Sequence, residues 1–180
     1  ALAKAAYPAE VISLIISDVP GNDLAVIASG PTVPDPSTSN DARAILAKYR
    51  ITVSENIEFF ETPKEQKYFE RVTNVLFLSN RDALAAMQGE AEKRGYAAAI
   101  VDDRFTGEAL YLGRAIARKL HDAPAKTALL YAGESTVTVT SHAGAGPSTS
   151  LGAGGRNQEM ALAALGDVRP DELVLPFASD

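Results

Sequence analysis

One stretch of the chain gathers the residue types that handle anions. Gly152-Ala153-Gly154-Gly155-Arg156-Asn157-Gln158-Glu159 runs directly into the apolar Met160–Leu165. Glycine lets backbone N–H groups approach a ligand with no side chain in the way. A helix N-terminus adds unpaired donors and partial positive charge, which suits phosphate. Arg156 adds a planar fork for carboxylate or phosphate oxygens. The same pattern fits an ordinary surface loop in which Asn157 caps the helix and Glu159 sits favourably in its first turn. Spacing alone does not separate these readings. Further polar, glycine-bearing stretches in the same chain favour a site.

Those stretches are Ser17-Asp18-Val19-Pro20-Gly21-Asn22-Asp23, Ser29-Gly30-Pro31-Thr32 and Gly133-Glu134-Ser135-Thr136. Ser179-Asp180 adds another hydroxyl and carboxylate. In open α/β sheets ligands bind beyond the carboxyl ends of strands, where Ser17–Asp23, Gly133–Thr136, the glycine loop and Ser179-Asp180 are expected to lie. Carboxylates, hydroxyls, glycine backbone and one arginine together suit metal-assisted phosphoryl transfer. That chemistry needs charge neutralisation on phosphate oxygens and Mg2+ held by carboxylates, for which Asp18 and Asp180 are the candidates. Plainer readings stand beside these. Asp18 and Glu134 also read as turn formers, Asp23 as a solvated carboxylate, and Asp102-Asp103-Arg104 as a surface turn. His121 and His142 have no second ligand at metal spacing. No Gly-x-Ser-x-Gly elbow, Walker lysine loop or complete Gly-x-Gly-x-x-Gly fingerprint is present.

Composition narrows the class. The 180 residues are 46% hydrophobic, enough for a core, and a net charge of −6 argues against a nucleic-acid binder. The absence of cysteine removes disulfides and thiolate chemistry and fits a reducing, cytoplasmic setting. No apolar run approaches the roughly 20 residues of a membrane span. Both ends read as cut: Ala1–Tyr7 resembles the last turns of a helix, and the chain stops just after an apolar run.

These residues need elements to hold them. Val11–Ile16 is nearly continuous apolar sequence, as in a buried parallel strand. Pro31, Pro34 and Pro36 stiffen the loop after Ser29 and exclude regular structure. Asp41–Arg50 reads as a short helix capped by Asn40 or Asp41. Residues 51–72 are least legible: a connector with a helical turn and a domain boundary, dividing the chain into 1–70 and 71–180. A regular alternation follows, with a strand over Asn74–Leu78 and a helix from cap Asn80 to about Arg94. Next come a strand over Ala97–Val101 and a helix over Gly107–Leu120 with an apolar stripe of Ala109, Leu112, Ala115, Ile116 and Leu120. Strands are expected over Thr127–Ala132, Thr136–Ser141 and Leu173–Ala178. The order predicts α/β architecture: two α/β domains with largely parallel sheets, the chain covering the end of the first and most of the second.

The motifs resemble those of the class II glycerate 2-kinases, also named hydroxypyruvate reductases, which carry the MOFRL domain. The resemblance rests on Ser17–Asp23, then Ile27-Ala28-Ser29-Gly30-Pro31-Thr32 with Pro34-Asp35-Pro36-Ser37-Thr38. Gly107-Glu108-Ala109, Gly133-Glu134-Ser135-Thr136-Val137 and Gly154-Gly155-Arg156-Asn157-Gln158-Glu159 continue it in the same order. It implies transfer of the ATP γ-phosphoryl group to the 2-hydroxyl of D-glycerate, with magnesium, in a cleft between two α/β domains. Asp18 and the turn through Gly21, Asn22 and Asp23 would lie in that cleft, Ser29–Thr32 would line it, and Glu134 would face it. Arg156 would stabilise charge on the transferring phosphate. Ser135 stands where members usually show threonine, and His142–Leu151 reads as an insertion. Members extend further at both ends, so the chain is expected to be a fragment, inactive alone. Its partners would be a sugar acid and a nucleotide, with no nucleic acid or membrane; a homo-oligomer is compatible with this reading. The alternatives are an NAD(P)H-dependent hydroxypyruvate reductase, for which a dinucleotide fingerprint and proton donor are missing here, and a non-catalytic binding module.

Overall fold

The computed structural model describes residues 1–54, 57–138 and 155–178. Its α-helices are α1 (Leu2–Ala6), α2 (Ser39–Lys48), α3 (Asn80–Lys93), α4 (Ala109–His121) and α5 (Arg156–Leu165). Its strands are β1 (Val11–Ser17), β2 (Val72–Ser79), β3 (Ala97–Glu108) and β4 (Thr127–Thr136). This is the expected α/β class. Two compact units divide the chain, residues 1–17 with 22–78, and residues 18–21 with 79–180.

In the first unit β1 and β2 are neighbours in a two-stranded sheet. The apolar run of β1 forms the expected strand, but not a buried one: Ile12, Leu14 and Ile16 are 67%, 65% and 69% exposed. Successive side chains point to opposite faces of a strand, and only the Val11, Ser13 and Ile15 face is half-buried. Helix α2 starts earlier than its expected cap. Thr38 closes it, its Oγ1 accepting from the Asp41 N–H at 3.3 Å while Asp41 Oδ2 accepts from the Thr38 N–H at 2.8 Å. This reciprocal box makes Asp41 the third helical residue, because it needs a hydroxyl three positions before a carboxylate. The connector does contain a helical turn, a 3-10 segment at Gln66–Tyr68 beside buried Phe69.

In the second unit β3 and β4 pair in parallel, from Ala97 opposite Thr127 to Glu108 opposite Thr136. Register shifts fall between Ile100 and Asp102 and between Asp102 and Phe105. Asp102-Asp103-Arg104 is therefore an irregular part of a long strand and not a turn. Gly107 and Glu108 finish β3, and α4 begins only at Ala109. Nor does Gly133-Glu134 separate two strands; it lies inside β4. A Cβ at Gly133 would stand 2.2 Å from the Phe105 carbonyl oxygen, so glycine here lets two backbones close together. Ser79, bonded to Asp82 at 2.8 Å through its N–H and 2.7 Å through its hydroxyl, precedes α3. Asn80 is the first helical residue, and its Nδ2 donates to the Asp103 carbonyl at 2.8 Å.

Helices α4 and α5 pack through small residues. Ala109, Gly113 and Ala117, four apart, are the buried positions of α4, Met160, Ala163 and Ala164 those of α5, and Gly113 lies against Met160 and Ala163. A Cβ on Gly113 would sit 2.3 Å from the Met160 carbonyl oxygen. The expected Leu112, Ile116 and Leu120 stripe is only half-buried, and Ala115 is exposed. Residues i and i+4 share a helix face, and the tightest face belongs to the residues that admit another backbone. Leu173–Ala178 forms no strand; Leu173, Leu175 and Phe177 are 75%, 72% and 62% exposed. A strand needs a neighbour for its backbone groups, and no described strand pairs with this segment. The end of the strand expected over Thr136–Ser141, the insertion at His142–Leu151, Gly154 of the glycine loop and Asp180 lie outside the described residues.

Candidate functional site

The second unit brings Glu134 and Arg156 together. Helix α5 starts from Gly155, whose carbonyl accepts from the Gln158 and Glu159 N–H groups at 2.9 and 3.1 Å. Asn157 is thus the second helical residue and no cap. Glycine has no side-chain acceptor, so the first-turn N–H groups of α5 carry no side-chain cap. Arg156, at the first helical position, donates from Nη1 to Glu134 Oε1 at 2.5 Å, with the two side chains 42% and 53% exposed. One contact leaves most of the guanidinium's five donors available. A pair this exposed adds less than about 1 kcal/mol to stability, so Arg156 can leave Glu134 for a stronger anion at little cost. Ser135, next to Glu134, is buried, while Glu159 sits in the first turn of α5.

A second glutamate fixes the end of β4. Glu108 accepts from the Thr138 hydroxyl at 2.9 Å, the Thr138 N–H at 3.2 Å and the Thr136 hydroxyl at 3.4 Å. Gly107-Glu108-Ala109 is one of the family-like motifs, and the motif alone gives its carboxylate no role. Its signal was the Thr136 and Thr138 pair two residues apart, which puts both hydroxyls on one face of extended chain.

In the first unit the corresponding feature is made of backbone. Ala28, Ser29 and Gly30 adopt left-handed conformations in succession, with φ of 49°, 61° and 56°. For alanine and serine this costs about 1–2 kcal/mol each. A Cβ at Gly30 would lie 2.9 Å from the Ala25 carbonyl oxygen, so glycine is required. Thr32 is buried and works as an anchor: its hydroxyl donates to Asn74 Oδ1 at 2.5 Å, and Asn74 Nδ2 donates back to the Thr32 carbonyl at 3.3 Å. The Pro31 carbonyl accepts from the Ala3 N–H at 3.3 Å. Ser29 is exposed, and with Gly30, Pro31, Asp35 and Thr62 it lines a concavity of about 280 Å3. Clustered left-handed non-glycine residues are a mark of functional loops.

The Ser17–Asp23 turn is divided. Ser17, Asn22 and Asp23 group with the first unit, Asp18 and Gly21 with the second. Ser17 is buried and Asp18 exposed. Gly21 and Asn22 have φ of 85° and 55°, and Asn22 Oδ1 is buried with no partner among the described residues. Asp23 organises the following turn, accepting from the Ala25 N–H at 2.9 Å through its side chain. Among the described residues no three His, Asp or Glu side chains converge on one point as a metal cage.

Asp103 is tied to arginines. It accepts from Arg81 at 2.5 Å and Arg104 at 3.2 Å, and the Arg81 contact holds its carboxyl below the usual range. His121 lies 3.1 Å from Glu172 Oε2 and 2.8 Å from the Asp167 carbonyl, bracing the end of α4.

Comparison with known proteins gives a consistent result. Residues 1–60 match a family described as a domain of unknown function, DUF4147. The chain is 37% identical over 169 residues to a D-glycerate 2-kinase of Thermotoga maritima, covering 90% of this chain and 38% of that protein. It is 39% identical over 173 residues to an Agrobacterium vitis protein provisionally named hydroxypyruvate reductase, covering 89% of this chain and 37% of the relative. The crystal structure of a glycerate kinase from Thermotoga maritima superposes with a TM-score of 0.71 at 34% identity, over 93% of this chain and 40% of that one. The chain thus spans well under half the length of these relatives.

Proposed function

We propose that the protein, whose chain belongs to the glycerate 2-kinase family, is an ATP-dependent kinase that phosphorylates the 2-hydroxyl of D-glycerate. The product is 2-phosphoglycerate. The observation that carries this is the joint similarity in sequence and fold to a D-glycerate 2-kinase and a glycerate kinase, over nine-tenths of the chain. In this reading residues 1–70 close a first α/β domain and 71–180 belong to a second.

ATP would supply the phosphoryl group, and Asp18 together with Asp180 would hold the Mg2+ that offsets phosphate charge. Phosphoryl transfer asks the protein mainly for positioning and charge stabilisation. Arg156, parked on Glu134 2.5 Å away, swings onto the phosphate oxygens when a more highly charged anion arrives. Gly155 and Asn157 would offer backbone N–H groups to the same anion, the sequence pattern extends this role to Gly154, and Glu159 and Ser135 would frame it. The left-handed Ala28–Gly30 turn fixes Ser29 and Gly30 against the sugar acid, with Thr32 anchored beneath them. Ser17, Gly21, Asn22 and Asp23 shape a second turn; Asn22 Oδ1, buried with no partner among the described residues, is an acceptor for a substrate hydroxyl. A cytoplasmic location is part of this proposal and is compatible with an ATP-using reaction. No helix among the described residues is long and apolar enough to cross a membrane.

The test is a coupled assay on the full-length protein with ATP, Mg2+ and D-glycerate, run beside NADH oxidation with hydroxypyruvate. ATP-dependent formation of 2-phosphoglycerate, lost in Arg156→Ala, supports the kinase and the role of Arg156. Reductase activity without kinase activity overturns it, and silence in both leaves a binding module.

A further inference from the structure

The segment Glu61-Thr62-Pro63-Lys64, in sequence only part of a connector, closes on the proline loop that follows Ser29–Thr32. Lys64 Nζ donates to the Asp35 carbonyl at 2.8 Å, to the Thr62 hydroxyl at 2.7 Å and to the Ser37 carbonyl. Its three N–H donors are thereby all placed. The Thr62 hydroxyl donates in turn to Asp35 Oδ2 at 3.0 Å. Glu61 Oε1 accepts from the Ser39 N–H at 2.8 Å and the Ser39 hydroxyl at 2.6 Å, where the loop enters α2.

The loop needs such help. Pro31, Pro34 and Pro36 supply no N–H and cannot join a ladder, so its carbonyls depend on donors from elsewhere. Lys64 supplies them at two carbonyls and also orients Thr62, which lines the same concavity as Ser29 and Gly30. The clasp and the strained turn are thus walls of one hollow within one unit. A lysine that served only solubility would point its ammonium to water and not at three oxygens of two segments.

We propose that Lys64 is a positioning residue for the acid-binding hollow: it locks the 31–38 loop against Thr62 and so holds Ser29 and Gly30 in their left-handed turn. This rests on the kinase reading for the identity of the acid, but not for the clasp itself. Lys64→Met keeps the stem and removes the donors; Lys64→Arg keeps a cation with donors. In the full-length protein Lys64→Met is expected to raise KM for D-glycerate roughly tenfold while kcat and KM for ATP change by less than about threefold. Lys64→Arg should recover most of that loss. Amide hydrogen exchange at residues 28–38 should quicken in Lys64→Met, with α3 and α4 unchanged. An unchanged exchange pattern overturns the clasp whatever the activity, and so does an equal loss of ATP and glycerate affinity. Absence of kinase activity in the unmodified protein, with faster exchange at 28–38 in the variant, would sink the kinase reading and leave the clasp standing.

Discussion

The two glycine-bearing regions solve the same problem by opposite means. Around Ala28–Thr32 geometry is made by the backbone: three successive left-handed residues, a glycine with no room for a methyl, and anchors at Thr32 and Pro31. Around Glu134–Arg156 it is made by side chains, one exposed ion pair joining a strand to the start of a helix. A strained turn holds its shape with or without a ligand, because relaxing it requires moving its anchors. An exposed pair holds its shape only until a better partner arrives. In the proposed kinase reading the first kind of region would recognise a small acid, and the second would supply a cation that follows charge during transfer.

The largest effect that could break this contrast is Arg156→Ala. Turnover of the full-length protein should fall about 10²–10³-fold, as when a group that stabilises transition-state charge is removed, with the melting temperature unchanged. A large drop in melting temperature would make the arginine structural. Gly30→Ala should act first on stability. Left-handed backbone for alanine and a methyl 2.9 Å from the Ala25 carbonyl should together lower stability by about 2–3 kcal/mol, read in denaturant melts. A neutral result would mean the turn is not under strain.

Glu134→Gln keeps shape and removes charge. Its stability cost should stay below about 1 kcal/mol, measured in the same melts; a larger cost would show that the pair clamps the fold. The smallest effect is on acid sensitivity. Hydrogen bonds from Ser37, Thr38 and Ser39 hold the carboxyls of Asp35, Asp41 and Glu61 below their ordinary values. Those from Ser79 and Arg81 do so for Asp82 and Asp103. A carboxyl whose folded pKa is depressed contributes stability above its unfolded value and loses it as pH falls through the folded value. The 31–39 loop should therefore loosen below about pH 4, seen as faster exchange there, and Asp35→Asn should flatten that response.

Much of this was legible in sequence. Apolar runs and the alternation of patterns placed β1, β2 and α3 near their observed positions, and the start of β4 but not its continuation through Gly133-Glu134, because periodicity reports which faces can be buried. Caps were missed by one to three residues where Thr38 and Ser79 outcompeted Asn40 and Asn80, a choice set by carboxylates three positions on. The continuation of β3 through Asp102-Asp103-Arg104 was not legible, since charged residues at a register shift look like a turn until their partners Arg81 and Asn80 are in place.

The sequence by itself determined the α/β class, the polar glycine-bearing stretches and the family resemblance, because each depends on residue type and spacing along the chain. Only the tertiary structure decided which residues meet. That Glu134 holds Arg156 from 22 residues away, and that Lys64 closes on Asp35 from 29, are contacts between segments whose separation local propensity does not encode. Gly113 and Gly133 are likewise required by neighbours distant in sequence, Met160 and Phe105. Long-range packing sets these constraints: close-packed backbones leave no room for a side chain, and no local pattern announces where another backbone will pass.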